Sequence, residues 1–323
     1  MKAIVYEHYG PPDVLQFKEM ATPAPVDNEV LIKVCAASVN PYDWHFMRGD
    51  PWLIRLMLGL RKPKVIRLGY DVAGRVEAVG RNVNQFKPGD EVFGGCRGAF
   101  AEFVCANEND LALKPANLSL EEAAAVPMAA ITALQGLRDK GRIKPGQNVL
   151  IDGASGGVGT FAIQIAKSFG TEVTAVCSTR NLDRARSLGA NHLIDYTRED
   201  FTRNGQSYDL ILAANAYHSI FAYRRSLNRN GICVRSGGKA SLKAMLLESL
   251  LLLMLSLFSS KKICGFIAKL KKKDLMLMKD LLEAGKVVPV IDRRYPLSET
   301  AEAIRYLEQG HAQGKVVLTV EHH

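Results

Sequence analysis

The sequence is poor in features that would place a protein in a specialised class. Its 323 residues contain six cysteines, and none of them forms a Cys-x-x-Cys pair or a tight cluster. In a chain of this size, cysteines without such a cluster are expected to be buried or free thiols in a reducing compartment. The N-terminal residues 1–10 contain no long apolar segment, which disfavours a secretory signal. We therefore predict a cytoplasmic protein.

Long hydrophobic runs are also scarce. The longest is Met245–Phe258, which is interrupted by Glu248 and is shorter than the roughly 18 apolar residues that a spanning helix needs. This segment predicts a buried helix or a lid over an apolar pocket. Several lysines follow it, so a helix lying on a membrane surface is the alternative. No transmembrane segment is expected, whereas peripheral membrane contact stays open.

Acidic residues are fewer than basic ones, 33 against 42, which gives a net charge of +9. The surplus is spread along the chain rather than concentrated in one arm, and this disfavours nucleic-acid binding. It suits anionic ligands such as a phosphorylated cofactor. With 47% hydrophobic and 23% charged residues the composition is that of a globular protein, and the length suggests two domains.

The pattern of secondary structure changes near residue 120. Residues 1–120 contain short strand-like runs separated by Gly, Pro and Asn, and no convincing helix. From Asn148 to Val234 strand and helix patterns alternate, as a parallel sheet with crossover helices requires. From about residue 287 a strand, a helix and a strand follow. The sequence thus predicts an α/β protein with a β-rich domain and a doubly wound parallel-sheet domain.

The most informative motif is Gly153–Gly159 (GASGGVG), which leaves a strand and begins a helix. In such a turn Gly156 lets backbone amides approach a pyrophosphate, and Gly159 lets the helix pack closely on the strand. The phosphates then lie at the positively polarised N-terminus of the helix. An ordinary tight turn is the alternative, but the surrounding alternation of strands and helices favours a dinucleotide site.

The end of the next strand indicates which dinucleotide is preferred. An NAD site places a carboxylate about 20 residues after the glycines, where it bonds the ribose 2′-hydroxyl. This chain has Ser178, Thr179 and Arg180 there, and the first acid is Asp183, inside the next helix. The two hydroxyls can donate hydrogen bonds, and the guanidinium supplies charge for a 2′-phosphate. We therefore predict NADPH rather than NADH.

Several motifs in the same order resemble those of one known family. They are Ser38–Asp43, Asp71–Gly74, Lys87–Val92, Ala125–Pro127, Thr132–Leu134 and Gly189–His192. Together with GASGGVG they are similar, nearly from end to end, to the zinc-independent quinone oxidoreductase and alkenal reductase branch of the medium-chain dehydrogenase/reductase superfamily. The resemblance implies a GroES-like catalytic domain at residues 1–122 and 286–323, and a Rossmann NADP-binding domain at residues 123–285. It also implies hydride transfer from NADPH to a quinone or an α,β-unsaturated carbonyl.

The resemblance further implies which residues bind the cofactor. The implied pyrophosphate contacts are Ser155, Gly156, Gly157 and Val158. The implied 2′-phosphate contacts are Ser178, Arg180 and Tyr196. Thr132 and Gly237 would lie near the nicotinamide. Tyr196 could equally be a packing residue at the end of a strand.

The catalytic zinc of other family members has no matching ligands in this sequence. Asn40 stands where zinc-dependent members carry a cysteine, and Tyr70 and Asp71 stand where they carry His and Glu. Neither Asn nor Tyr is a good zinc ligand, so no metal is expected. Asn40 is the candidate for bonding the substrate oxygen or for holding the nicotinamide region. Tyr70 could donate a proton or stack on a quinone ring, or it could merely fill the volume that the metal site leaves.

Two further expectations concern protein class and assembly. The alternative to an enzyme is a redox-sensing or interaction protein that binds NADPH with little turnover. The apolar run Lys262–Ile267 predicts a strand at the edge of the sheet without an obvious partner. Such an edge can pair with a copy of itself about a two-fold axis, and the resemblance also implies a homodimer. Coverage of the edge by Met245–Phe258 would instead leave a monomer.

Overall fold

The structure, a computed structural model, describes residues 1–237 and 260–322. Its strands are β1 (Lys2–Val5), β2 (Gln16–Glu19), β3 (Glu29–Val39), β4 (Asp71–Val79), β5 (Glu91–Gly95), β6 (Phe103–Asn107), β7 (Leu111–Leu113), β8 (Asn148–Asp152), β9 (Glu172–Cys177), β10 (His192–Asp195), β11 (Tyr208–Ala213), β12 (Leu227–Arg235), β13 (Lys262–Gly265), β14 (Ile291–Pro296) and β15 (Lys315–Thr319). Its α-helices are α1 (Pro41–Arg48), α2 (Ile54–Leu58), α3 (Leu120–Ala124), α4 (Pro127–Gln135), α5 (Gly157–Ser168), α6 (Leu182–Ser187), α7 (Ile220–Arg225), α8 (Lys272–Glu283) and α9 (Thr300–Glu308).

The segment Met245–Phe258, for which the sequence leaves a buried helix, a lid and a membrane-surface helix open, lies outside the described residues. In the two ranges that the structure describes, no helix has the length and apolar character to cross a membrane.

The first of two structural units contains Met1–Met128, Leu270–Gly285 and Pro289–His323. Its main sheet has the order β14-β15-β3-β4-β5-β7, with β6 also paired to β3, while β1 and β2 pair separately. Strand β3 is rich in Val and other apolar residues that favour a pleated, buried conformation, and most of its residues are buried. The last strand of the chain, β15, lies inside this sheet and runs antiparallel to β3.

The β-rich region contains two short helices, α1 and α2, that its sequence does not reveal. Helix α1 begins with Pro41, which suits the first helical position, and the carboxylate of Asp43 accepts a 2.8 Å hydrogen bond from the backbone N–H of Asn40. Arg48 at its end forms two bonds with Glu308 of α9, of 2.5 and 3.0 Å. The helix is too short for an apolar period to be recognised, and local caps and one distant ion pair hold it instead.

The second unit contains Ala129–Lys269 and Lys286–Val288. Its described strands are all parallel and have the order β10-β9-β8-β11-β12-β13. This is the strand order of a Rossmann fold, with the reversal between β8 and β11, and it confirms the predicted doubly wound sheet. Strands β8 and β9 are buried on both faces, and Phe161 and Ile165 of α5 are fully buried beside them.

The unit boundaries differ from the expected domains, 1–122 with 286–323 and 123–285. Residues Leu270–Gly285 belong to the first unit, because α8 packs against β7 there. Lys272 Nζ donates to the carbonyl of Glu108 at 3.2 Å, and Asn117 Nδ2 donates to that of Leu282 at 2.9 Å. The helix continues the strand–helix alternation of the preceding residues, so only its contacts reveal the unit to which it belongs.

Strand β13 lies at one edge of the Rossmann sheet. It is parallel to β12, from the pair Ile232 and Lys262 to the pair Arg235 and Gly265. The run predicted as a partnerless strand therefore has a partner on one side, and among the described strands none pairs with its other side. The strand is also shorter than the predicted Lys262–Ile267.

Candidate functional site

The glycine-rich turn joins the end of β8 to the start of α5. Gly153 has a φ of +81°, in the left-handed region that favours glycine, and a Cβ there would lie 2.7 Å from Nδ2 of Asn215. A Cβ on Gly159 would lie 2.2 Å from the carbonyl oxygen of Gly153, so a larger residue would push α5 off the strand. A Cβ on Gly156 would meet nothing closer than 3.7 Å. The turn is thus closed towards the sheet and open at Gly156.

Residues Ser155–Val158 are the accessible part of this turn. Each is half-buried, whereas residues 151–154 before them and 159–166 after them are buried. Gly157 and Val158 belong to the first turn of α5, where backbone N–H groups have no partner within the helix. A bound anion would meet those N–H groups and the positive end of the helix dipole. The open glycine and the helix N-terminus together fit the pyrophosphate of a dinucleotide.

The residues predicted to select the cofactor follow β9 at the same edge of the sheet. Ser178 is half-buried, and Thr179 and Arg180 are exposed. A carboxylate lies nearby, although it is not at the position about 20 residues after the glycines. Asp195, at the end of β10, accepts a 2.5 Å hydrogen bond from Thr179 Oγ1. Asp195 pairs in register with Cys177, so it reaches this position from the third strand of the Rossmann fold rather than from the second.

Neighbouring groups engage both oxygens of the Asp195 carboxylate. Thr197 donates its N–H and its hydroxyl to Oδ1 at 3.0 and 2.7 Å, and Arg198 Nε lies 3.6 Å from Oδ2. The hydrogen bond from Thr179 is the main cause that lowers the pKa of Asp195, so the carboxylate is ionised at neutral pH. Arg198 offsets part of its charge beside the predicted 2′-phosphate contacts.

The remaining predicted cofactor residues also belong to the second unit. Thr132 is half-buried in α4. Tyr196 follows β10 and is 59% exposed, so packing within the protein does not account for its ring. Gly237 follows β12, and a Cβ there would lie 2.2 Å from the carbonyl oxygen of Ala214, so its backbone comes close to the end of β11. Tyr196 and Gly237 thus lie at the carboxyl edge of the sheet, where Rossmann folds bind dinucleotides.

A buried polar network joins β3, β4 and β15 in the first unit. Asp71 is fully buried, and its Oδ2 accepts hydrogen bonds from Ser38 Oγ at 2.8 Å and Asn40 Nδ2 at 2.9 Å. The ammonium of Lys315, a residue only 3% exposed, lies 2.5 Å from Asn40 Oδ1 and 3.4 Å from Asp71 Oδ2. The backbone N–H of Met128 donates to Asp71 Oδ1 at 2.9 Å. The buried carboxylate is therefore surrounded by donors, one of them a cation.

This network changes the expected role of Asn40. Its Nδ2 also donates to the carbonyl of Ser38 at 3.1 Å, so both amide hydrogens and the amide oxygen are bonded within the protein. The side chain has no remaining hydrogen to offer a substrate oxygen, and we assign it to the network instead. The residue that sequence reasoning missed is Lys315, which lies 275 positions away and belongs to no local pattern.

Asp43 is a second buried carboxylate beside this network. Its Oδ2 accepts the hydrogen bond from Asn40 N described above, and its Oδ1 accepts one of 3.2 Å from Gly69 N. Burial raises the pKa of Asp43 to about 7, and the bond from Asn40 opposes that shift while the charge of Asp71 adds to it. Asp43 therefore carries a proton part of the time at neutral pH.

Tyr70 differs from Asn40 because its hydroxyl stays available. Its half-buried ring lies against Gly95, where an added Cβ would be 2.5 Å from the ring, and the ring centroid is 5.6 Å from that of Tyr42. No hydrogen bond to the Tyr70 hydroxyl is found among the described residues. Burial raises the pKa of both phenols, that of Tyr42 to about 12 despite the opposing charge of Arg97. Both hydroxyls are therefore protonated donors at neutral pH.

The donor set at the positions that match the family's zinc ligands does not fit zinc. Asn40 and Tyr70 offer an amide and a protonated phenol, whereas zinc favours thiolate, imidazole and carboxylate. The ammonium of Lys315 lies beside Asp71 and would repel a divalent cation there. Within residues 1–237 and 260–322, no three His, Cys, Asp or Glu side chains come together as metal ligands.

Comparison with known proteins identifies the family. A family model described as alcohol dehydrogenase GroES-like domain matches residues 26–116, and one described as zinc-binding dehydrogenase matches residues 188–318. The chain is 34% identical to a chloroplastic quinone-oxidoreductase homolog of Spinacia oleracea, over 98% of both chains. It is 33% identical to a chloroplastic NADPH-dependent alkenal/one oxidoreductase of Arabidopsis thaliana, over 98% of this chain and 79% of that protein.

A solved structure gives the same result. The quinone oxidoreductase from Coxiella burnetii superimposes with a TM-score of 0.87 at 32% identity, over 99% of both chains. The sequence relatives and this structure agree over nearly the whole length, so both structural units are covered. The chain therefore belongs to the medium-chain dehydrogenase/reductase superfamily of oxidoreductases, among the quinone oxidoreductases and alkenal reductases.

Proposed function

We propose that this protein is an NADPH-dependent, zinc-independent oxidoreductase that transfers hydride to a quinone or an α,β-unsaturated carbonyl. The observation that carries the proposal is the open turn Ser155–Val158 at the N-terminus of α5, with Ser178–Arg180 at the same edge of the sheet. This edge offers N–H groups for a pyrophosphate and a guanidinium for a 2′-phosphate. The names of two relatives, a quinone-oxidoreductase homolog and an NADPH-dependent alkenal/one oxidoreductase, support the proposed substrate class and cofactor.

The proposed cofactor contacts follow from these positions. Ser155–Val158 would hold the pyrophosphate, and Ser178, Thr179 and Arg180 would hold the 2′-phosphate side of the adenosine. Tyr196 would cover the adenosine end with its exposed ring, while Thr132 and the backbone of Gly237 would position the nicotinamide. When bound, the reduced nicotinamide supplies the hydride.

The first unit is proposed to supply substrate contacts rather than a metal. A quinone or an enone is electrophilic enough to accept hydride without a Lewis acid, whereas a simple ketone gains more from metal polarisation. Tyr70 is the proposed contact, because its hydroxyl is protonated and not bonded by another described residue. It would donate a hydrogen bond to the substrate oxygen. Asn40 and Lys315 are proposed as positioning residues behind it.

A substrate panel tests this function. We expect steady oxidation of NADPH with a quinone, an enal or an enone, and no rate above background with a simple ketone. Tyr70→Phe keeps the ring but removes the hydroxyl, so we expect kcat to fall by about 10²-fold if that hydroxyl donates in the transition state. Absorbance of NADPH gives all rates. A chelator should leave the rates unchanged, and elemental analysis of the active protein should find no stoichiometric zinc.

Two outcomes would overturn the function. Tight NADPH binding without turnover on any quinone or enone would favour the redox-sensing or interaction protein instead. Activity that is lost to a chelator and restored by zinc would contradict the metal-independent branch.

Cofactor preference depends on Arg180. We expect NADPH to bind more tightly than NADH, and Arg180→Ala to weaken NADPH binding by about 1–3 kcal/mol, because a charge-assisted bond to the phosphate is lost. NADH binding should change little, since its ribose has no 2′-phosphate. Calorimetric titration of both cofactors measures this. Arg186→Ala removes an exposed arginine that pairs with Asp183 and serves as the control. Equal affinity of the wild type for both cofactors would contradict the assignment.

We propose that β13 forms a homodimer interface through the edge at which no described strand pairs with it. Ile267, two residues after the strand, is 89% exposed, as an interface residue would be in an isolated chain. Phe266 is a poorer probe than its neighbour, because its ring lies 3.4 Å from where a Cβ on Gly136 would be and packs within its own unit.

We expect Ile267→Glu to convert a dimer into monomers without loss of folding. Val26→Glu, at another exposed apolar residue, should leave the mass unchanged. Light scattering of the wild type that gives the mass of one chain would exclude the dimer.

A further inference from the structure

A cavity lies at the amino edge of the Rossmann sheet, away from the glycine turn. It has a volume of about 620 Å³, and its lining includes Ser207, Leu227 and Lys261. Ser207 directly precedes β11, Leu227 begins β12, and Lys261 directly precedes β13. These three strands are adjacent and parallel, so the cavity lies where all three begin. The glycine turn follows the end of β8, at the opposite edge of the same sheet.

The lining of this cavity is strongly basic. It contains the cationic side chains of Arg203, Arg225, Arg229 and Lys261. Among the described lining residues there is no Asp or Glu. Two carboxylates border the lining. Asp200 Oδ2 lies 3.5 Å from Nε of Arg203, where both side chains are substantially exposed, and Asp209 Oδ1 accepts a 2.8 Å hydrogen bond from Asn228 Nδ2. Four cations around one concave surface create a positive potential that attracts an anion.

Hydrogen bonds to the backbone fix the positions of two of these cations, Arg225 and Lys261. Arg225 donates from Nε to the carbonyl of Thr202 at 2.8 Å and from Nη2 to its hydroxyl at 3.3 Å, which orients the guanidinium plane. Lys261 Nζ donates to the carbonyl of Arg224 at 3.0 Å. Arg225 ends α7, where a positive charge also stabilises the helix dipole. Stabilisation of the helix dipole does not account for Arg203, Arg229 and Lys261, which lie outside α7.

A bulge in β12 brings Arg229 to the cavity. The register between β11 and β12 passes from the pair Tyr208 and Leu227 to the pair Leu210 and Ile232, so β12 has extra residues there. Asn230 in the bulge has a φ of +67°, a left-handed conformation that asparagine adopts more readily than most residues other than glycine. Bulges of this kind redirect side chains and are frequent beside functional sites. Here the bulge adds a guanidinium and the amide of Asn228 to the lining.

We propose that this cavity is a second anion site, which binds a phosphate or diphosphate group independently of the dinucleotide site. Each guanidinium can donate two parallel hydrogen bonds to the oxygens of a phosphate. The hydroxyls of Thr202 and Ser207 already donate to Asp200 and Asn228, so the cations are the groups that would bind the anion. The group can belong to a free metabolite or to a lipid headgroup, since both present the same oxygens. The site depends on neither the proposed reaction nor the proposed cofactor.

Calorimetric titration with inorganic pyrophosphate tests the proposal. The titration is done with saturating NADPH, which keeps pyrophosphate from the glycine turn. We expect the double variant Arg229→Gln, Lys261→Gln to bind pyrophosphate at least about tenfold more weakly than the wild type, because two charge-assisted contacts are lost. The control Arg81→Gln removes an exposed arginine in the other unit and should bind like the wild type. Equal affinity of the wild type and the double variant would overturn the proposal.

Vesicles then identify the source of the phosphate group. Co-sedimentation is compared for phosphatidylcholine vesicles with and without phosphatidic acid. Sedimentation that requires phosphatidic acid and is lost in the double variant supports a lipid headgroup. Binding of pyrophosphate alone, with no sedimentation, supports a soluble ligand. The thermal midpoint and NADPH affinity of the double variant should equal those of the wild type, which separates loss of the site from misfolding and from failure of the proposed reaction.

Discussion

Replacing Lys315 with Met is expected to destabilise the protein by about 3–5 kcal/mol, the cost of leaving a buried charge without its partner. Lys315 and Asp71 are both buried, and the Lys315 ammonium also holds Asn40 through a 2.5 Å bond. In the variant the Asp71 carboxylate keeps its hydrogen bonds from Ser38, Asn40 and Met128 but loses the cation. Unfolding in urea, followed by circular dichroism, measures the free energy.

The same experiment contains its controls. Lys18→Met, which breaks an exposed ion pair with Glu7, should change the free energy of unfolding by less than about 1 kcal/mol. The double variant Lys315→Met, Asp71→Asn removes both charges and should recover part of the loss. A Lys315→Met protein as stable as the wild type would show that the ion pair is not formed in solution.

The second large effect is a dependence of stability on pH that comes from Asp43. Its pKa is about 7 in the folded protein, where burial disfavours the charged form, whereas an aspartate in an unfolded chain has a pKa of about 3.9. In the unfolded chain the carboxyl therefore loses its proton at lower pH than in the folded protein. Stability is lost as pH rises from about 4 to about 7, and the loss is complete above pH 7. Between pH 5 and pH 8 this group should cost roughly 2–3 kcal/mol.

Asp43→Asn isolates this contribution from those of other titrating groups. Asparagine keeps one oxygen that can accept a backbone hydrogen bond but carries no charge at any pH. We expect the free energy of unfolding of the variant, relative to the wild type, to rise by roughly 2–3 kcal/mol between pH 5 and pH 8. Asp183→Asn, whose side chain is 99% exposed, should show no such rise. A constant difference between wild type and Asp43→Asn across this range would contradict the buried, raised-pKa assignment.

Features that depend on neighbouring residues could be predicted from the sequence. The alternating strands and helices after Asn148 and the turn Gly153–Gly159 are local patterns, and the structure has the Rossmann order that they imply. Helix α1 was missed because its two turns are held by a single cap and by a pair with Glu308. Helix α8 was assigned to the other domain because its amphipathic pattern does not say which sheet it covers.

The candidate site could be predicted only where its residues are close together in the sequence. The open turn Ser155–Val158 and the run Ser178–Arg180 are each a continuous stretch of sequence. In the structure both follow strands at the same edge of the sheet. Asp195 and Lys315 reach their positions from other strands, so no spacing rule finds them. The bonding of Asn40 could not be predicted for the same reason: its amide is bonded to Ser38, Asp71 and Lys315, and two of these residues lie far away in the sequence.

The interior position of β15 also has a consequence for how the protein forms during synthesis. This strand lies between β14 and β3 and carries the cation that accompanies Asp71. A ribosome releases the chain from its N-terminus, so β3 emerges long before β15, which must pair with it. The strands of the second unit, β8 to β13, are complete earlier, and domains fold as units while synthesis continues. The second unit can therefore fold first, while the first unit keeps an open sheet edge and an unaccompanied carboxylate until β15 is made.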